Sequence, residues 1–238
     1  MKQESRIRRQ SREPEVDEKQ EASDGKTLTE WLLERYPEIK NVGDDPQTRP
    51  GIVHRLDKDT SGIMLVPKTQ AYFDYLKKLF QEHKIKKIYQ ALACGMFKEK
   101  TGVINKPIGI KDGTIKRSVY SDKMAKEAIT EYRVLKTYSL SESDESKGYY
   151  SLLEVTPKTG RTHQIRIHLS SIGHPILGDM LYGNKPSKKL SEELGIKRQM
   201  LHAVRIELET RPGERVSLEA DMPEDMEKMA GSYPQPHF

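Results

Sequence analysis

Five longer stretches of this chain read as β-strands, at residues 86–95, 130–138, 149–155, 201–208 and 215–220, and only one helical stretch falls between these five. Each is rich in apolar and β-branched residues and is bounded by turn formers. A doubly wound parallel sheet needs a helical crossover at nearly every step. The expected class is therefore α+β, with a large mixed, mostly antiparallel sheet and flanking helices. The helices expected are 27–36, 70–83, 162–172 and 223–230. Thr27 can cap the first, with Glu30 three residues on, and Pro37 ends it. The second sets Tyr72, Leu76, Leu79 and Phe80 on one side. The third fits a strand through Ile165, Ile167 and Leu169 and a helix through Ile165, Leu169 and Ile172. Helix is chosen, because Thr162 can cap it and Gly173 can end it. Residues 139–148 are polar and read as a hairpin tip.

The stretch from Arg49 to Gly62 carries the strongest hint of chemistry. A lone carboxylate, Asp57, stands two residues after Arg55. Turn and hydroxyl residues follow, Asp59-Thr60-Ser61-Gly62, and then the apolar run Ile63-Met64-Leu65-Val66, which reads as a buried strand. A carboxylate on a loop entering a rigid element is a common place for a catalytic group. Ordinary turn chemistry gives the same residues a plainer meaning, a surface turn with an Arg55–Asp57 ion pair.

Charge points to a polyanionic partner. The net charge is +5, but residues 84–126 hold eleven Lys or Arg against three Asp or Glu, and residues 158–189 hold six against one. Such concentration suits contact with a phosphate backbone, whose neutralisation dominates nucleic-acid affinity. The alternative is solvated lysines on unrelated faces. Residues 1–26 hold seven basic and seven acidic residues and almost no large apolar ones, so they are expected to be a disordered or loosely attached tail. No apolar run approaches the roughly 20 residues of a membrane span, and Met1 to Arg6 leads into no apolar signal region. The one cysteine, Cys94, lies in an apolar run and reads as a small core residue. A cytoplasmic protein is expected.

His54 to Gly62 resembles the signature of the RluA-type family of pseudouridine synthases. Lys87-Ile88-Tyr89 resembles the family's tyrosine motif, and Pro107-Ile108-Gly109 a mid-chain element. Thr159 to Leu169, then Gly173 to Asp179 and Tyr182-Gly183, resemble its third motif. Leu201-His202-Ala203 resembles a late strand. The resemblances come in family order between residues 49 and 223. They imply the pseudouridine synthase fold, with a central active-site cleft along the sheet, as a catalytic domain over residues 27–238. They imply an isomerase acting on ribosomal or transfer RNA as a monomer, with no membrane partner and no cofactor, since the reaction gains and loses no atom. The N1–C1′ bond of uridine breaks, the uracil turns, and C5 bonds to C1′. Breaking that bond develops oxocarbenium-like charge, as in glycosidases. A carboxylate can stabilise that charge, add to C1′ or remove a sugar proton, and these alternatives stay open.

The resemblance makes Asp57 the catalytic residue. It makes Tyr89 the ring that stacks on the extruded uracil, with a hydroxyl available for proton transfer. Arg55 is placed to fill the gap that a flipped base leaves in the stack. An arginine beside Asp57 would orient its carboxylate, and Arg166 is the first candidate, with Arg161 the second. Gln164 and His163 are candidates for contact with the nucleotide or the motif loop. A metal on His163 and His168 finds no support, because the chain has no His-Glu-x-x-His pattern and no second cysteine. Several departures from the pattern stand out. The strand and Lys-Pro-x-Gly loop that usually open the family are replaced by the polar segment 1–26. No S4-type RNA-binding module, frequent in the family, is expected from these residues. Ile110 stands where many relatives carry arginine, with Lys111 as its substitute. Two other functions compete: an RNA-binding protein that has lost turnover, and a carboxylate hydrolase. The second lacks the paired carboxylate that glycosidases generally use.

Overall fold

The computed structural model describes residues 25–110, 117–140, 148–211 and 213–231. All but the last two residues of the expected tail, and most of the expected 139–148 hairpin tip, lie outside the described residues. The chain divides into two compact units.

The first unit takes the described part of Met1–Arg55, with Leu65–Glu82 and Glu209–Val216. Helix α1 is Leu28–Arg35 and opens on the expected capping box, Thr27 with Glu30. A 3₁₀ turn over Pro37–Asn41 follows it and buries Ile39. Helix α2 is Gln70–Gln81, capped by the Thr69 hydroxyl. Its buried face is Phe73, Leu76 and Leu79. Tyr72, expected on that face, is exposed instead. Phe80 packs elsewhere, its ring stacked 4.7 Å from the His54 ring.

The second unit, Leu56–Met64, His83–Leu208 and Ser217–Phe238, carries the sheet. Its strands are β1 (Ser61–Gly62), β2 (Lys86–Cys94), β3 (Thr101–Asn105), β6 (Ile129–Ser139), β7 (Tyr149–Pro157) and β8 (Leu201–Arg211). They lie in the order β1-β8-β2-β7-β6-β3, and β9 (Glu214–Glu219) pairs with β8. Of the pairs β1–β8, β2–β7, β2–β8, β3–β6 and β6–β7, only β1–β8 is parallel. The sheet is thus mixed and mostly antiparallel, as expected. A separate small ladder joins β4 (Gly109–Ile110) to β5 (Arg117–Ser118). The helices of this unit are α3 (Gln164–Ser171), α4 (Lys185–Glu193) and α5 (Glu224–Gly231). The core brings Leu92, Leu153 and Val155 of the central strands together with Ile165 and Leu169 of α3, Ile176 and Met226.

Three expectations need correction. The run Ile63–Val66 is not a strand; the parallel strand is the two residues before it. Gly62 (φ +114°) lies against the Ala203 backbone, where an added Cβ would come within 2.3 Å of the carbonyl oxygen. Beyond it one bond, Ile63 N–H to the Ala203 carbonyl at 3.0 Å, prolongs the pairing. Secondly, Thr162 does not cap α3; the residue at that place is His163, left-handed at φ 55° and without a side-chain cap bond. Every residue from Gln164 to Leu169 is buried. A helix buried all round shows no polar face, which is why its sequence fits two periods. Thirdly, β3 and α4 were not anticipated. Val103 of β3 is exposed, and α4 is a polar segment with Pro in its first turn, started by Asn184 accepting from Ser187 N–H. Among the described residues no helix is long and apolar enough to cross a membrane.

Candidate active site

Asp57 opens a tight loop: Thr60 N–H donates to its carbonyl at 2.9 Å. The loop is pinned to the residues around the start of β8. Gln199 Nε2 donates to Thr60 Oγ at 2.7 Å. Ser61 Oγ lies 3.0 Å from His202 Nδ1, whose other nitrogen lies 3.3 Å from the Ala220 carbonyl. That carbonyl only accepts, so His202 carries its proton on Nε2 and Nδ1 accepts from Ser61.

One helical arginine faces Asp57. Arg166 Nη1 donates to Asp57 Oδ2 at 3.0 Å. Its Nε and Nη2 donate to the two oxygens of Asp179, at 2.7 and 2.9 Å. Asp179 also accepts from the Leu181 and Tyr182 backbone N–H groups at 2.9 and 3.0 Å. Burial opposes the charge on Asp179, but the Arg166 hydrogen bonds and those backbone donors outweigh it and hold its carboxyl below the usual range. Arg166 is likewise disfavoured by burial, and the bonds to Asp179 and Asp57 more than restore its charge. The Tyr182 ring lies under the guanidinium, 5.1 Å from ring centre to Cζ. His163 closes the group. Its Nδ1 is 2.9 Å from Tyr182 Oη, and its Nε2 is 3.9 Å from Asp57 Oδ1, too far for a hydrogen bond.

Tyr89 sits in β2 where the pairing with β8 slips: Ile88 faces Arg205 and Tyr89 faces Ala203, skipping Val204. Burial, with the Asp57 charge adding to it, pushes the Tyr89 hydroxyl up to about 12. Lys87 points to the same face of β2, two residues earlier. A Cβ built on Gly160 would be 3.6 Å from its Nζ, and burial pulls its amine down.

The other candidates separate. Arg161 Nε donates to the Glu127 carbonyl at 2.9 Å, on a different partner from Arg166. Gln164 is buried, and protein groups take all four bonds of its amide. Nε2 donates to the Ile129 carbonyl at 2.9 Å and to Thr130 Oγ at 3.0 Å. Oε1 accepts from Thr159 Oγ at 2.7 Å and Arg161 N–H at 2.9 Å. Its geometry is that of a buried brace for the turn into α3, with nothing left over for a nucleotide. The brace continues to His168, fully buried, between Thr130 Oγ at 2.8 Å and the Lys106 carbonyl at 2.9 Å. Arg55 is exposed and ends a segment of the first unit. Asp179 and Tyr182 join the site without a local sign of their role in the sequence. The segments that hold them, Gly173–Asp179 and Tyr182-Gly183, carry only the resemblance.

The fold is an α+β domain whose mixed, mostly antiparallel sheet carries a carboxylate loop braced by a buried arginine. Comparison with known proteins specifies it. The profile described as RNA pseudouridylate synthase matches residues 13–171, starting inside the segment expected to be a tail. The chain belongs to this family. A protein of Aquifex aeolicus named "Uncharacterized RNA pseudouridine synthase" is 42% identical over 170 residues, covering 71% of this chain and 51% of that protein. The "Ribosomal large subunit pseudouridine synthase D" of Pasteurella multocida is 38% identical over 208 residues, covering 84% of this chain and 59% of that one. The chain thus spans about half the length of the curated relatives it matches. The structure of "Human RNA Pseudouridylate Synthase Domain Containing 1" superposes with a TM-score of 0.66 at 25% identity, covering 89% of this chain and 87% of that one.

Proposed function

We propose that this protein isomerises specific uridines of RNA to pseudouridine, with Asp57 as the catalytic carboxylate. The observation that carries the reading is the Asp57–Arg166–Asp179 array in a chain of this family. Arg166 engages Oδ2 of Asp57 and leaves Oδ1 without a hydrogen bond from His163, at 3.9 Å. That oxygen is the group of the array able to meet positive charge developing at C1′. The Tyr89 ring, close enough to feel the Asp57 charge, offers the uracil a stacking face. Arg55 fills the space left by the flipped nucleotide. An RNA-binding protein of the same fold without turnover is the competing reading, and it is separated by assay of the product. Relatives named for the large ribosomal subunit make ribosomal RNA, in the cytoplasm, the first substrate to test.

The test is a map of pseudouridines in total RNA from cells with the protein, without it, and with Asp57→Asn. The expected result is one or a few uridines whose modification depends on the protein and is not restored by Asp57→Asn. A map unchanged by loss of the protein would favour a binder without turnover. Restoration by Asp57→Asn would remove Asp57 from the reaction.

A further inference from the structure

The loop that carries Asp57 is gripped by an arginine outside the ion array. Arg198 lies shortly before β8. Its Nη1 donates to the Asp59 carbonyl at 3.3 Å and to the Gln199 carbonyl at 3.1 Å. Its Nε and Nη2 make a two-pronged bond to Asp225 of α5, both at 2.7 Å. Four of the five guanidinium donors are so engaged. Helix α5 is itself fastened to the sheet. Met226 is fully buried, Tyr138 Oη donates to the Ala230 carbonyl at 2.6 Å, and Tyr150 Oη donates to the Met229 carbonyl at 2.7 Å. The same backbone touches the other side of the array. Gly178, next to Asp179, has φ +77°, and a Cβ there would lie 1.9 Å from the Arg198 carbonyl oxygen.

We propose that Arg198 is a positioning residue. It ties the Asp57 loop to α5, and so to β6 and β7, and the C-terminal helix thereby sets the placing of the catalytic carboxylate. The inference rests on the reading of Asp57 as catalytic. Partly exposed ion pairs contribute little to folding, and Arg198 and Asp225 are 24% and 43% exposed. The effect of breaking this one belongs in the rate of reaction rather than in stability. A lysine supplies the charge but not the planar fork that reaches two carbonyls and a carboxylate together.

The experiment compares wild type, Arg198→Lys and Asp225→Ala in three measurements. These are single-turnover pseudouridine formation on an RNA the wild type modifies, the Kd for that RNA, and amide hydrogen exchange over residues 57–62. The Thr60 amide, bonded to the Asp57 carbonyl, reports the loop directly. In both variants the rate constant should fall on the order of tenfold, the weight of about one hydrogen bond. Kd should stay within about twofold and Thr60 should exchange faster. Unchanged exchange and rate in both variants overturns the proposal. Weaker RNA binding at an unchanged rate also overturns it, making Arg198 an RNA contact. Faster exchange in the variants of a protein whose wild type makes no pseudouridine supports the clamp and rejects the catalytic reading of Asp57.

Discussion

Asp179 occupies the Nε–Nη2 edge of the Arg166 guanidinium, at 2.7 and 2.9 Å, and so aims Nη1 at Asp57. The arginine cannot turn away from the loop without abandoning a fully buried carboxylate. Asp179→Ala should therefore act through Arg166. It leaves a buried guanidinium half paired, which typically costs about 3–5 kcal/mol. Urea unfolding should register that loss, and Asp179→Asn a smaller one. The wild-type contribution has a definite sign with pH. Because the folded-state carboxyl is held low, the stability it supplies is present above its unfolded value, about 3.9. It is lost as pH falls through the lower folded value. Asp179→Asn should remove that part of the acid slope.

Tyr89 is a phenol held protonated. With its hydroxyl at about 12, roughly one molecule in 10,000 is a phenolate at pH 8. The ring face, rather than a standing base, is then its main asset. Tyr89→Phe should keep at least about a tenth of the activity with an unmoved pH–rate profile, while Tyr89→Ala should lose far more. Collapse of Tyr89→Phe to the level of Asp57→Asn would place a proton on that hydroxyl.

Two buried histidines make folding sensitive to mild acid. Burial lowers the proton affinity of both His168 and His202, so the unfolded chain binds protons first as pH falls. Their contribution is complete above the unfolded value, about 6.5, and declines from there toward the lower folded values. Unfolding free energy should thus drop between pH 7 and pH 5. The slope should lessen in His168→Gln, whose side chain has no proton to gain in that range. An equal slope in the variant would assign the effect to other groups.

RNA affinity should fall with salt, though less than the basic segments suggest. Several of their cations are already used: Lys86 pairs with Glu207 at 3.2 Å, Lys158 with Glu131 at 2.8 Å, and Lys106 donates to the Ser171 carbonyl at 3.2 Å. Titrations between about 50 and 200 mM salt should give a linear fall of log affinity, with a slope set by the phosphates neutralised. A Kd indifferent to salt would show that these segments do not meet the RNA.

The sequence by itself determined the five longer strands, β2 and β6 to β9, because apolar and β-branched runs bounded by turn residues are local signals. It also singled out Asp57 as the candidate carboxylate, because the motif around it is contiguous in the chain. The class of protein followed from motifs in order along the chain. Tertiary structure decided what distance along the chain conceals. Arg161 and Arg166 look alike in sequence, five residues apart on one motif. Only the burial of α3 on all sides gives Arg166 to Asp57 and Asp179 and Arg161 to the Glu127 carbonyl. Gln164 reads as a substrate contact until its four amide bonds are seen to be occupied by Ile129, Thr130, Thr159 and Arg161. Arg198 carried no local sign at all. Its partners Asp59 and Asp225 lie 139 and 27 residues away, and hydrogen bonds over such separations are set by where the sheet brings the segments, which no short pattern records.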